Sequence, residues 1–117
     1  MKKIKIKGFL KSEEQNYIFD TNGFYDKGIL KYEDNDVLVS LDIKNNEMIR
    51  TTNSYELVFS FKRGVKTINV LTLKDLSQTI EMSLKTLDIL IKDGYYYVQY
   101  ELNEDELFTF ELFYEYL

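Results

Sequence analysis

The chain has 117 residues, 44% of them apolar, a net charge of −5, and no histidine, cysteine, proline or tryptophan. That length predicts one domain, residues 1–117, with apolar content enough for a core. The acidic balance speaks against nucleic acid and anionic membrane as partners, since both select a basic patch. Without cysteine there is no disulfide or thiol chemistry, and without histidine as well there is no Ser-His-Asp triad, no cysteine nucleophile and no histidine-based zinc site. No enzyme activity, cofactor or metal is therefore expected. No apolar run reaches signal-peptide or membrane-spanning length, so the cytoplasm is the expected compartment.

Residues 3–10 alternate Ile4, Ile6 and Leu10 inward against Lys3, Lys5 and Lys7 outward, the pattern of a strand with one wet face. The lysines there read as that wet face rather than as a polyanion site. Lys11 to Asn16 is a polar turn, and residues 17–25 form a second strand. Within it, Asn22-Gly23 is either a hairpin turn or a kink or bulge in a long strand. Asp26-Lys27-Gly28 turns the chain into a short strand, Ile29 to Glu33, closed by Asp34-Asn35-Asp36. That acidic triplet has the oxygen-rich look of a calcium loop but lacks the later glycine and bidentate glutamate, so it reads as a turn.

Residues 37–44 alternate cleanly, and Asn45-Asn46 is a plausible tight turn because asparagine tolerates positive φ. A two-residue register there pairs Ile43 with Met48 and Leu41 with Arg50, placing Arg50 on the apolar face of the strand running from Glu47 to Thr52. Residues 55–62 and 66–73 flank Arg63-Gly64, which predicts the pairs Phe59–Ile68, Leu57–Val70 and Tyr55–Thr72. Lys74 to Gln78 is a loop with room for one helical turn.

Residues 79–102 hold the strongest hairpin signal, two alternating runs around Asp93-Gly94. The register pairs Lys92 with Tyr95, Ile91 with Tyr96, Ile89 with Val98 and Leu87 with Tyr100. The apolar phase shifts between Leu84 and Leu87, which places a β-bulge near Lys85-Thr86, or else a break between two strands. With the bulge, Leu84 sits opposite Leu102. Asn103 to Asp105 turns into a last strand with Phe108, Phe110, Leu112, Tyr114 and Tyr116 on one face. The fold class is all-β: about eight to ten antiparallel strands in an up-and-down order, closing into a barrel in preference to a sandwich. Eight strands leave an interior wide enough for side chains or one small ligand.

The ordered set Gly23-Phe24-Tyr25, Leu30, Tyr32-Glu33, Ile49-Arg50, Leu57, Phe59, Gly64, Thr72, Thr86 and Tyr100-x-Leu102 resembles the YwiB-like family, bacterial calycin-like β-barrels of unknown function. The resemblance spans residues 3 to 116. The family usually carries a glycine two residues after the arginine, where this chain has Thr52, and a longer segment after Tyr32-Glu33. What the resemblance implies is a small closed barrel shaped like lipocalins and fatty-acid-binding proteins, with no established activity.

Arg50 is the residue on which function turns. An inward arginine costs free energy unless an acceptor receives it. Either it anchors a ligand carboxylate or phosphate, or it plugs one barrel end against backbone carbonyls and a carboxylate. The expected ligand-binding set is Arg50 with Tyr32, Glu33, Tyr96 and Tyr100. The inward aromatics Tyr96, Tyr100, Phe59, Phe108, Phe110 and Tyr114 also account for ordinary core filling and argue for a filled interior. Two functions follow as expectations: a small barrel binding a small apolar or amphipathic ligand, or a non-enzymatic interaction module in which outward Tyr95, Tyr97 and Leu90 hold a partner or a second copy as a homodimer.

Overall fold

The computed structural model describes all 117 residues. Ten strands follow in order: β1 (Lys2–Lys11), β2 (Asn16–Asp26), β3 (Ile29–Asp34), β4 (Val37–Asp42), β5 (Glu47–Thr51), β6 (Tyr55–Ser60), β7 (Lys66–Leu73), β8 (Gln78–Lys92), β9 (Tyr95–Leu102) and β10 (Glu106–Tyr116). Each pairs antiparallel with its neighbours in sequence, and β1 pairs with β10 to close the barrel. The period-2 alternation read from the sequence is the physical basis, since every other side chain points into the closed interior. Ile4, Ile6, Leu30, Leu41, Leu84, Val98 and Leu112 are fully buried there.

The turns show why the chain reverses so often. Lys27-Gly28 (φ 51° and 86°) and Asn35-Asp36 (φ 48° and 67°) have positive φ at both central positions, the geometry whose twist matches a two-residue hairpin. Asn22-Gly23 is neither a turn nor a bulge, because β2 runs through it with unbroken pairing to β1. The glycine is there for space. A Cβ on Gly23 would lie 2.3 Å from the Lys31 carbonyl oxygen, and one on Gly8 would lie 2.2 Å from the Phe19 ring. The segment from Lys74 to Ser77 is a plain turn with no helical character, closed by the pair Leu73–Gln78.

Three registers depart from the sequence-based ones. Between β4 and β5 the pairs are Leu41–Met48 and Val39–Arg50, two residues from the predicted register. The Asp42 carboxylate accepts from the Asn45 backbone N–H (3.2 Å) and side-chain amide (2.8 Å), so the turn begins at Asp42 and the loop has four residues. A shift of two keeps every side chain on its face, so Arg50 still points inward.

Between β6 and β7 the shift is one residue, which does exchange faces: Val58 pairs Val70 and Leu57 pairs Leu71. Ile68 (62% exposed) and Val70 (37%) therefore point outward, while Asn69 (3%) is buried. The Arg63-Gly64 connection is a longer loop that tucks Phe61 into the core and rests on β8 through the Gly64 N–H to Thr86 carbonyl bond (2.8 Å). Asn69 makes this register tolerable. Its Oδ1 accepts the Ser60 N–H (2.8 Å) and its Nδ2 donates to Thr67 Oγ1 (3.1 Å), so the buried polar groups are satisfied.

The Asp93-Gly94 hairpin has the predicted pairs Lys92–Tyr95, Ile91–Tyr96 and Ile89–Val98, and Leu84 faces Leu102. The bulge is real but sits at Leu87: Thr86, not Leu87, pairs with Tyr100, and Asp88 pairs with Gln99. Thr86 is held inward because its Oγ1 accepts the Lys62 N–H (3.2 Å), which leaves Leu87 as the extra residue. Ile91, expected inside, lies at the strand end and is exposed.

Candidate ligand site

In an up-and-down barrel the alternate turns share one end. The turns after β1, β3, β5, β7 and β9 ring one mouth, and beneath it lies a cavity of about 190 Å³. Its lining is almost wholly apolar, with Met48, Phe59, Phe61, Tyr100, Phe108 and Phe110 among it; Arg50 is the one charged residue. The opposite half of the barrel is packed solid around Ile4, Leu30, Leu41 and Leu112. The interior is thus filled at one end and hollow at the other.

Arg50 is half-buried, and its guanidinium has no acceptor in the protein; the two ion pairs of the chain are Arg63–Asp88 and Lys66–Glu104, both on the surface. The carbonyl and carboxylate partners that a structural plug needs are not present. Asp34, a carboxylate at the mouth, is engaged by another side chain: Tyr17 donates its phenolic proton to the Asp34 carboxylate, 2.8 Å from either oxygen, and Asn35 donates to Tyr17 (2.9 Å). That bond holds the Tyr17 phenol above its ordinary range, with burial adding to the effect.

Tyr32 stacks on Phe19 (centroids 5.4 Å apart), which stacks in turn on Phe110 (6.4 Å). The Tyr32 hydroxyl is fully buried and has no hydrogen-bond partner. Burial pushes its pKa well up, and the field of Arg50 opposes that shift. Tyr100 behaves alike: burial raises it and Arg50 lowers it. Arg50, Tyr32 and Tyr100 are therefore electrostatic neighbours, as the sequence reading grouped them.

Glu33 and Tyr96 are not part of this group. Glu33 lies on the outer wall, because alternation that turns Tyr32 inward must turn Glu33 outward. Asp34, one residue on, is one of the carboxylates at the mouth, with Glu13, Glu14 and Asp105 in the neighbouring turns. Tyr96 is buried in the filled half, where its hydroxyl donates to Asn46 Oδ1 (3.2 Å). Tyr17, Asp34 and Phe61 were not among the sequence candidates. For Tyr17 and Asp34 the usable signal was parity with Phe19 and Tyr32. For Phe61 it was parity with Leu57 and Phe59, although the residue lies past the end of β6 in a loop docked on β8.

A larger concavity, about 530 Å³, lies on the outer wall and is lined by outward side chains including Phe24, Leu38 and Ile49. It is a shallow concavity on the outer face of the sheet with Asn22, Lys31 and Glu33 among its lining, whereas the interior site sets a single cation in an apolar wall. The outward Tyr95 and Tyr97 lie where alternation puts them; Tyr95 packs on Phe113 (4.9 Å) and hydrogen-bonds Glu111.

The orphan Tyr32 hydroxyl carries a stability prediction. A buried donor without a partner costs about 1–3 kcal/mol of desolvation. Tyr32→Phe is expected to stabilise the unliganded protein by about 1 kcal/mol, read as a higher urea midpoint at unchanged slope. A lower midpoint would mean that the hydroxyl has a protein partner after all.

Among solved structures the chain is similar to the crystal structure of ywiB protein from Bacillus subtilis, with a TM-score of 0.65 and 17% identity, over 98% of this chain and 90% of that one. At that identity the likeness is one of fold: a YwiB-like β-barrel. No protein-family model matches the sequence, and no curated protein matches it.

Proposed function

We propose that this barrel, built on the plan shared with YwiB, is a non-catalytic binding protein that holds a small apolar or amphipathic ligand in its open half, with Arg50 as the polar anchor. The observation that carries the reading is Arg50 itself, a cation on an apolar cavity wall with no acceptor in the protein. Such a group is unfavourable alone and favourable against an anion, where a guanidinium makes two parallel charge-assisted bonds. Tyr100, on the same cavity wall, supplies a further hydroxyl.

Native mass spectrometry of protein purified without denaturation from its own cells tests this. The expected result is an adduct of small-molecule mass on the wild-type chain, absent from Arg50→Met. A bare wild-type mass, or an adduct that persists in the variant, removes Arg50 as anchor.

A second reading has its own support. Phe9, Tyr95 and Phe113 form an outward aromatic cluster beside exposed Leu90. Contiguous aromatic surface of this kind suits self-association. Light scattering over a concentration series that reports only a monomer would set it aside.

A further inference from the structure

We infer that the ligand class this cavity accepts is a small aromatic carboxylic acid, one ring carrying one carboxylate. The inference rests on the proposed role of Arg50 and narrows it.

Size comes first. A cavity of about 190 Å³ is only a little larger than the roughly 150 Å³ engineered cavity known to take benzene, and it falls short of the roughly 300–1,000 Å³ typical of drug-sized sites. A single ring with a short acidic arm fits that space, whereas a long acyl chain does not. The filled half of the barrel blocks any extension inward.

The walls come second. Tyr100 lies at the centre of an aromatic shell: Phe61 at 5.3 Å and 44°, Phe59 at 5.8 Å and 51°, and Phe108 stacked at 5.4 Å and 18°. Tilted and stacked rings together present both faces and edges to an entering ring, the arrangement aromatic pairs prefer.

Charge comes third. The site holds one cation and no other charged residue. A monoanion neutralises Arg50. A phosphate dianion would leave a second charge against an apolar wall. The planar guanidinium fork matches a carboxylate, and Tyr100 stands on the same cavity wall. Orientation follows from the strand. Arg50 is next to the mouth end of β5, and Met48 is two residues deeper. The ring therefore lies inward against Met48, Phe59 and Phe61, with the carboxylate toward the mouth.

Calorimetric titration of the full chain with sodium phenylacetate, benzyl alcohol, sodium octanoate and sodium palmitate tests the inference. Phenylacetate is expected to bind at one per chain and to weaken at least tenfold in Arg50→Met. Benzyl alcohol, the same ring without the charge, is expected to bind at least tenfold more weakly and to be indifferent to that substitution. Octanoate is expected to bind more weakly than phenylacetate, and palmitate not to bind in the cavity. Should Arg50→Met not fold, Arg50→Lys keeps the charge without the fork and is expected to lose severalfold, while Leu57→Trp at the mouth is expected to block phenylacetate. Tighter binding of octanoate or palmitate, lost in Arg50→Met, overturns the aromatic acid and leaves the Arg50 anchor standing. Acid binding indifferent to Arg50→Met overturns both. No binding by any of the four overturns the aromatic acid, while the anchor is overturned separately by a bare native mass.

Discussion

Gly23→Ala is expected to cost at least about 3 kcal/mol of folding stability, at the upper end of what overpacking does. Alanine in place of glycine in a strand ordinarily gains roughly 0.5–1 kcal/mol by lowering the entropy of the unfolded chain. At Gly23 the clash outweighs that gain, because the new Cβ would stand 2.3 Å from the Lys31 carbonyl oxygen and 3.0 Å from Ile6 Cδ1 and Tyr32 Cβ. The first of these is backbone, and it belongs to the four-pair seam that joins β2 to β3. It cannot retreat without opening that seam, and Tyr32 moves with it. Gly64→Ala is the control. Nothing lies within 4 Å of that position, so only its φ of +73° resists a side chain, at a cost of about 1–2 kcal/mol. Urea midpoints of the two variants decide the matter. Equal losses would mean that the β2–β3 seam accommodates a methyl group.

Alkaline pH is expected to unfold the protein steeply. Burial holds the phenols of Tyr32, Tyr96 and Tyr100 well above the ordinary tyrosine value, and burial together with its bond to Glu111 pushes Tyr95 up to about 12. In the unfolded chain these groups ionise near pH 10. Above that pH the unfolded state binds fewer protons than the folded one, so stability falls as pH rises. It is fully present below about pH 10 and is lost progressively as pH climbs through 12. Each unit of displacement corresponds to about 1.4 kcal/mol. Three deeply buried phenols acting together remove on the order of several kcal/mol, a large share of a typical net stability of about 5–15 kcal/mol. Far-ultraviolet circular dichroism and tyrosinate absorbance should change together above pH 10, since the buried phenols ionise only when the barrel opens. Smooth ionisation of every tyrosine near pH 10 with the fold intact would show these rings to be accessible.

The two effects draw on different kinds of information, and so does the rest of the molecule. Alternation along β1, β4, β9 and β10 was legible residue by residue, because a strand with one buried face writes its period into the chain. The all-β class, the meander order and the inward face of Arg50 followed from that period. The inward face survived a β4–β5 register wrong by two, since period 2 forgives even shifts.

Odd shifts are not forgiven, and those belong to the assembled barrel. The β6–β7 register turned on Phe61 finding a place in the core and on the loop after it resting on Thr86, a residue more than twenty positions away. Asn69, with no apolar character to mark it, became an interior residue for the same reason. The bulge could be inferred from a phase change, yet its place at Leu87 was set by Thr86 bonding Lys62.

At the candidate site the division is the same. The local chain put Arg50 and Tyr32 on the inner face. That Arg50 meets no acceptor, that Asp34 is taken by Tyr17 and that one half of the barrel is hollow are facts about partners brought together by closure. A periodic pattern specifies which side of a strand a residue faces. It carries no information on what stands across the barrel from it.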